Sequence, residues 1–364
     1  RRSSDLNLKH NRRFSKGIYE VTINPTLDCN LKCWYCYENH KSKSSLSEEN
    51  IQNIITHLRY KCRMEPFEFL KLNFFGGEPI LKPKVIKEII SKIKELAREF
   101  EFKFSVHFTT NGTVIPKSLL EELNGLDVTF QITFDGNKSQ HDTVRMRKIL
   151  GDNSGTYQLI LNNIKRIYNE IENVFVNIRI NFSTETLAGL ENIVDDLDFC
   201  DRKRVIISLH KVWQVDGASV DKSRLFEFIR YANSKLFIVN YMLFSNFNGS
   251  ACYADNHNQA LINFDGKVFK CTARDFNDEN CEGILTKSGL IHWKTDKLMD
   301  RMNLRSPENC RDCKLLPSCP GICSQKRLES NGKSLCVLDK EFSMSEYIIH
   351  NFNKKLLEAK IKAI

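Results

Sequence analysis

Nothing in this sequence of 364 residues approaches the ~20 consecutive uncharged apolar residues that a membrane-spanning helix requires. Its basic beginning, RRSSDLNLKHNRRF, leads into no apolar signal segment. Both absences point to a cytoplasmic protein with no membrane partner. The chain starts at Arg1 rather than Met, so a preceding recognition module is expected as an open possibility. No internal repeat or low-complexity tract is present. Lys and Arg number 54 against 45 Asp and Glu, a formal charge of +9. No single basic block gathers that excess, and no basic run carries the interleaved aromatics of a single-strand nucleic-acid groove. A solvated basic surface, compatible with an acidic peptide, fits this distribution better than a nucleic-acid partner does.

The thirteen cysteines lack the marks of a disulfide framework, being odd in number and without a secretion signal. Three stand at positions 29 to 36, Cys62 and Cys200 occupy the long middle as ordinary thiols, and eight crowd between Cys252 and Cys336. Such clustering reads as metal binding at two separate places.

Strand-like runs are expected at Tyr19–Asn24, Phe69–Phe75, Lys103–Thr109, Val128–Thr133, Val174–Asn181 and Val205–His210. Helical periodicity lies between them. Ile51, Ile54, Ile55 and Leu58 follow the capping-box pattern Ser45-x-x-Glu48, and Val85, Ile86, Ile89, Ile90 and Ile93 repeat the spacing. Further helices are expected near Ser118–Leu123, Tyr157–Tyr168, Leu187–Leu197, Arg224–Val239 and Ser343–Ile364. Six βα units imply an α/β fold with a parallel sheet, either doubly wound or curled into an open barrel. Loops leaving the carboxyl ends of such strands gather ligands on one face. Here those loops carry Cys29-Asn-Leu-Lys-Cys33-Trp-Tyr-Cys36, then Gly76-Gly77-Glu78-Pro79, Thr110-Asn111-Gly112 and Asp135-Gly136. After about residue 220, cysteines replace aliphatic runs as the organising feature, and a small domain held by metal rather than by a core is expected.

Three thiols with no fourth nearby suit structural zinc badly, because zinc closes its shell with four ligands. A four-iron, four-sulfur cube offers each ligand its own iron, so three thiolates leave one iron free to hold a substrate or cofactor.

The spacing C-x₃-C-x₂-C after the first strand, with Tyr35 before the last thiol and GGEP after the second strand, resembles the radical S-adenosylmethionine (SAM) enzymes over residues of about 18 to 210. The resemblance implies a partial (β/α)6 barrel in which Cys29, Cys33 and Cys36 hold a [4Fe–4S] cluster whose open iron is chelated by S-adenosylmethionine. Reductive cleavage of the sulfonium then yields a 5′-deoxyadenosyl radical that abstracts hydrogen. By the same resemblance, Tyr35 faces the adenine and Gly76, Gly77, Glu78 and Pro79 hold the methionine amino group. Thr133, Arg145 and Asn181 match positions that touch ribose and carboxylate, with a surface ion pair as the other reading of Arg145.

A second pattern, Cys252-x₁₃-Gly266-x₄-Cys271, Cys310-x₂-Cys313-x₅-Cys319-x₃-Cys323 and Cys336, is similar to SPASM domains, which carry two auxiliary iron–sulfur clusters. It implies one cluster on Cys310, Cys313, Cys319 and Cys336, and an inner one on Cys252, Cys271 and Cys323. The fourth inner ligand is either Cys281 or absent, leaving an open iron; a zinc ribbon at Cys310 and Cys313 is the competing reading. The implied organisation is an extension at 1–17, a barrel at 18–220, a helical bridge at 221–251, a SPASM domain at 252–342 and a closing helix at 343–364.

Members with both features act mostly on peptides and proteins. The resemblance therefore implies a maturase of a ribosomally synthesised precursor peptide, forming a thioether or carbon–carbon crosslink with three [4Fe–4S] clusters and an external electron partner such as flavodoxin or ferredoxin. Anaerobic sulfatase-maturing enzymes are the alternative. They commonly carry Asp directly after the cysteine matching Cys271, whereas this chain reads Cys271-Thr-Ala-Arg274-Asp275. Arg274 and Asp275 are candidate substrate contacts or a proton acceptor, against a plain turn with a local ion pair. An RNA-modifying radical enzyme and a non-enzymatic electron carrier are the rivals from other classes.

Overall fold

In a computed structural model, the protein is described over residues 17–149, 151, 154–183, 186–212, 220–241, 252–302, 310, 312–315, 323–330, 336, 338 and 342–364. It divides into two compact units. The first draws on residues 1–28, 37–107 and 246–337, the second on residues 29–36, 108–245 and 338–364.

In the first unit, β1 (Ile18–Ile23) lies parallel to β2 (Phe69–Phe74), with Val21 opposite Leu72. Alternation along β2 buries Leu70, Leu72 and Phe74 and leaves Lys71 in solvent, the period of two that a strand imposes. The intervening helix α1 (Glu48–Met64) is capped by Ser47, whose side chain accepts the Asn50 amide. The expected cap at Ser45 is therefore two residues early. Ser47 places Glu48 and Glu49 in the first turn, where the helix dipole favours acid. Helix α2 (Pro83–Phe100) starts on a proline, whose missing N–H costs nothing there, and buries the stripe Ile86, Ile89, Ile90, Ile93 and Leu96. Strand β3 (Lys103–Thr110) begins in this unit and ends in the second.

The second unit holds β4 (Asp127–Phe134), β5 (Val174–Phe182), β6 (Val205–Lys211) and β7 (Val239–Tyr241), each parallel to the next. Helices α3 (Lys117–Leu123), α4 (Lys138–Val144), α5 (Tyr157–Glu170), α6 (Glu191–Asp196) and α7 (Lys222–Ser234) connect them. The helix expected over Leu187–Leu197 is shorter than its apolar pattern. That expected over Arg224–Val239 starts at Lys222, behind an Asp221 cap, and ends at Ser234. Leu236 then takes a left-handed φ of 63°, and β-branched Val239 opens β7 instead of extending the helix.

The region after residue 252 is not held by cysteines alone. Strand β8 (Gln259–Ile262) is buried throughout and adds in parallel to β1. The antiparallel strands β9 (Lys267–Phe269), β10 (Gly283–Leu285) and β11 (Ile291–Trp293) follow it. Leu27, Leu261, Phe269, Phe276 and Cys281 form an apolar cluster there, a core the sequence pattern did not suggest. Two short helices, α8 (Thr295–Met302) and α9 (Ser324–Glu329), complete the first unit. The long helix α10 (Met344–Ala363) belongs to the second and carries a full capping box between Ser343 and Glu346. Within the first unit the strands run in the order β11-β10-β9-β8-β1-β2, and within the second β4-β5-β6-β7. Among the described residues no helix is long and apolar enough to cross a membrane.

Candidate functional site

The loop bearing Cys29, Cys33 and Cys36 lies in the second unit and is pinned by its backbone. Leu31 bridges Arg147, the Lys32 amide donates to the Met146 carbonyl at 2.9 Å, and the Lys148 amide to the Asn30 carbonyl at 2.9 Å. Side chains reinforce the bridge. Asn111 Nδ2 donates to Asn30 Oδ1 at 2.8 Å and approaches Cys29 Sγ at 3.8 Å, while Asn30 Nδ2 donates to Thr113 Oγ1 at 2.9 Å. The loop after β3 thus meets the three-thiol loop. Cys29 is buried, Cys33 half-buried and Cys36 exposed, and none of them is in a disulfide. Burial pushes the Cys33 thiol up, with Arg145 opposing that shift.

Tyr35, two residues beyond Cys33, turns inward. Its hydroxyl donates to Asp135 Oδ2 at 2.7 Å and accepts from Arg145 Nη1 at 2.9 Å and Asn181 Nδ2 at 3.0 Å. Arg145 Nη1 also reaches Asp135 Oδ2 at 3.1 Å, an ion pair with side-chain exposures of only 7% and 3%. The pairing foreseen for Arg145 at the surface is therefore a buried one. Burial, then the Asp135 charge, hold the phenol well above its ordinary range, so Tyr35 remains a donor. Two atoms of this network, Asp135 Oδ1 and Arg145 Nε, are buried without a hydrogen-bond partner among the described residues. Thr133 is buried two positions before Asp135 on β4. Tyr35, Arg145 and Asn181 are thus brought together, joined by Asp135, which the sequence reading placed in an unusual loop without a role. Its signal was the strand-ending run Phe134-Asp135-Gly136.

In the first unit, the Gly76–Pro79 segment is laid against the chain that follows β1. The Gly77 amide donates to the Thr26 carbonyl at 3.2 Å and the Glu78 amide to the Asp28 carbonyl at 2.8 Å. A Cβ on Gly76, whose φ is +113°, would stand 2.3 Å from the Thr26 oxygen, and one on Gly77 would stand 2.4 Å from the Asp28 oxygen. Only glycine permits that approach. Glu78 is fully buried and caps the short turn begun by Pro79, accepting the Ile80 amide at 3.0 Å.

Also in the first unit, Cys252 and Cys271 both lie within electrostatic reach of Cys323. Burial and then the Asp255 charge push Cys252 up to about 12, with smaller effects of Cys323 and Cys271, and burial raises Cys271 with Cys323 in support. Tyr253 clamps the first two segments, its hydroxyl lying 2.6 Å from Thr272 Oγ1 and accepting the Thr272 amide at 2.9 Å. Arg274 is committed to a two-pronged pair with Glu329, Nε to Oε1 at 2.6 Å and Nη2 to Oε2 at 2.5 Å, so it ties the Cys271 loop to the helix that Cys323 caps.

Asp275 accepts from the Asn39 amide at 3.1 Å and from Asn39 Nδ2 at 2.6 Å. Beside it, burial and the Asp275 charge push Glu38 up to about 8; Glu38 was missed in the sequence, although it stands two residues after Cys36. Cys281 sits in the apolar cluster, its thiol donating to the Gly283 carbonyl at 3.1 Å. Cys310 and Cys313 are half-buried on one turn, closed by the Cys313 amide on the Cys310 carbonyl at 3.2 Å, and Cys336 is exposed. Cys319 lies outside the described residues. Among the described residues no three His, Cys, Asp or Glu side chains stand close enough to hold one metal ion.

Comparison with known proteins adds independent findings. The family profile described as the radical SAM superfamily matches residues 23–197. An uncharacterized protein of Methanocaldococcus jannaschii is 28% identical over 120 residues, 33% of this chain and only 40% of that protein. The radical SAM cyclopropyl synthase TigE of Paramaledivibacter caminithermalis is 23% identical over 341 residues, 85% of this chain and 67% of the synthase. Among solved structures, native anSMEcpe with bound AdoMet and Cp18Cys peptide superposes with a TM-score of 0.64 at 18% identity, covering 95% of this chain and 99% of the other. Streptococcus suis SuiB does so with a TM-score of 0.60 at 15% identity, covering 94% and 81%. At these identities the two structures speak to the fold.

Proposed function

We propose, from the premise that residues 23–197 of this chain are a radical SAM superfamily domain, that the protein is a peptide-modifying radical SAM enzyme, a maturase that installs a thioether or carbon–carbon crosslink in a ribosomally made precursor. The observation that carries the reading is the three-thiol loop whose only aromatic hydroxyl is locked to Asp135, Arg145 and Asn181. The donor set fits the implied cofactors. Three cysteines outside any disulfide, on one pinned loop, would offer three corners to a four-iron cube and leave the fourth open. Arg145 Nε and Asp135 Oδ1, buried and unpartnered, offer a donor and an acceptor to a ligand carrying both a carboxylate and an amine or hydroxyls. When bound, a [4Fe–4S] cluster and S-adenosylmethionine supply one-electron cleavage of the sulfonium and a 5′-deoxyadenosyl radical able to take hydrogen from a C–H bond.

The chain's own residues hold and orient. Cys29, Cys33 and Cys36 anchor the cluster, and Tyr35 fixes the loop between them. Arg145 receives the methionine carboxylate, with Thr133 and Asn181 toward the ribose. Gly76, Gly77, Glu78 and Pro79 present backbone to the amino group. In the cysteine-rich region, read as a SPASM domain, Cys252, Cys271 and Cys323 hold an inner auxiliary cluster and Cys310, Cys313, Cys319 and Cys336 an outer one. A thiol donating to a carbonyl inside an apolar cluster is poorly disposed to ligate as a thiolate, so Cys281 takes second place to an open inner iron. Asp275, oriented by Asn39, is the proton acceptor, and Arg274 serves by holding α9 through Glu329.

A peptide substrate is supported by what similar structures bind, the Cp18Cys peptide in anSMEcpe and the precursor peptide SuiA in SuiB. Crosslinking would remove two hydrogens from the peptide, one taken up in 5′-deoxyadenosine and the other leaving as a proton, and the remaining electron would pass to an external acceptor such as flavodoxin or ferredoxin. Anaerobically reconstituted protein, given dithionite and S-adenosylmethionine, should form 5′-deoxyadenosine. Mass spectrometry of a candidate precursor peptide incubated with the reduced enzyme should then show loss of two hydrogens. Formation of 5′-deoxyadenosine only with RNA would overturn the peptide assignment.

A further inference from the structure

Helix α10 buries one face, through Tyr347, His350, Leu357 and Ile361. A second apolar row runs along its outer side. Ile349, Phe352, Leu356, Ala359 and Ala363 recur at alternating steps of three and four, the a/d repeat of a coiled-coil seam. Ile349, Phe352 and Leu356 are 59%, 61% and 55% exposed, so the row faces solvent. On a soluble surface such a contiguous apolar strip marks a docking site.

The flanks indicate what docks. With Ile349 and Leu356 at a and Phe352 at d, the e and g positions hold Ile348, then Asn353, Lys355, Lys360 and Lys362. A second copy of α10 would set lysine against lysine in either orientation, since e and g residues face one another across the seam. Acidic side chains at those positions would pair with them. Beside the seam, a cavity of about 360 Å³ between α7 and α10 is lined by Phe226, Ile229 and Arg230 opposite Glu346, Ile349 and His350. It is large enough for an apolar side chain.

We propose that the outer face of α10 is a docking seam for an acidic amphipathic helix of a partner polypeptide, joined in coiled-coil fashion. The seam is separate from the residues assigned to chemistry, so it stands or falls independently of the proposed reaction.

The test uses the full chain and two fluorescein-labelled synthetic peptides, both with Leu at a and d, one with Glu and the other with Lys at e and g. Fluorescence anisotropy should show the Glu peptide binding at least about tenfold more tightly, a difference of about 1.4 kcal/mol, narrowing at high salt. Phe352→Asp with Leu356→Asp should abolish binding without changing iron content. Should that variant fail to fold, Lys355→Glu with Lys360→Glu and Lys362→Glu should reverse the preference toward the Lys peptide. Equal binding of both peptides, or an unchanged preference in the charge-reversed protein, would overturn the proposal. So would sedimentation of the unmodified chain as a dimer that Phe352→Asp dissociates, which would make a second copy the occupant.

Discussion

Tyr35 donates from its phenol to Oδ2 of Asp135 at 2.7 Å, the same oxygen that Arg145 Nη1 reaches at 3.1 Å. One carboxylate oxygen thereby fastens the middle of the three-thiol loop to the end of β4 and to the residue that closes α4. Asp135, Arg145 and Asn181 are buried and Tyr35 is half-buried, so the charge pair depends on the hydroxyl that joins it.

Tyr35→Phe removes the shared hydroxyl and leaves Asp135, Arg145 and Asn181 each one partner short. Hydrogen bonds to charged groups contribute about 1.5–3 kcal/mol. The variant should keep its iron but form 5′-deoxyadenosine about 10- to 100-fold more slowly, as anaerobic chromatography would measure. An unchanged rate would remove the phenol from the positioning role.

Asp135→Ala strands the Arg145 guanidinium as a buried charge without its counter-ion, which typically costs about 3–5 kcal/mol. Urea unfolding should register that loss. Asp135→Ala combined with Arg145→Met should recover much of it, because the pair is coupled rather than additive.

Two glycines separate backbone conformation from crowding. Gly125 has a φ of +81° with nothing within 4 Å of its Cβ position, whereas Gly289, at +79°, would place a Cβ 2.7 Å from the His57 amide nitrogen and the Thr56 carbonyl carbon. Gly125→Ala should cost about 1–2 kcal/mol, the left-handed penalty alone. Gly289→Ala should cost distinctly more, because it also forces α1 away from the turn. Equal losses in thermal unfolding would contradict the packing described.

His57 sets part of the acid stability. It accepts from the Tyr19 hydroxyl at 2.7 Å and donates from Nδ1 to the Gly289 carbonyl at 2.7 Å, the tautomer required by an acceptor-only carbonyl. Burial pushes it down from 6.5 to about 4, against the raising effect of the Gly289 bond. Between those values the unfolded chain binds a proton that the folded chain refuses. Stability therefore rises with pH through that window, is complete above it, and falls by about 3 kcal/mol as pH drops toward 4. His107 and His350, likewise pushed down to about 4 by burial, share the window. His57→Gln should therefore flatten only part of the slope in urea midpoints measured from pH 7 to pH 4.

Much of the scaffold was legible because its signals are local. The alternation of Leu70, Leu72 and Phe74 and the isoleucine stripe of α2 need no tertiary context. The parallel pairing of the strands followed from their alternation with helices. What escaped was non-local. Gln259–Ile262 is too short to announce a strand, yet β1 recruits it in parallel. The helix proposed through Val239 stopped early because β6 offered that residue a partner. At the site, the three thiols and GGEP carry spacing that can be read directly, whereas Asp135 becomes meaningful only when folding sets it under Tyr35, 100 residues away in sequence.

The central claim, that three thiols hold a cluster with one open iron, is tested most directly by comparing the anaerobically reconstituted chain with the variant in which Cys29, Cys33 and Cys36 are all Ala. The unmodified chain should carry about three [4Fe–4S] clusters and convert S-adenosylmethionine to 5′-deoxyadenosine on reduction, while the variant should lose one cluster and all conversion. Undiminished conversion by the variant, or zinc in place of iron in the unmodified chain, would contradict it.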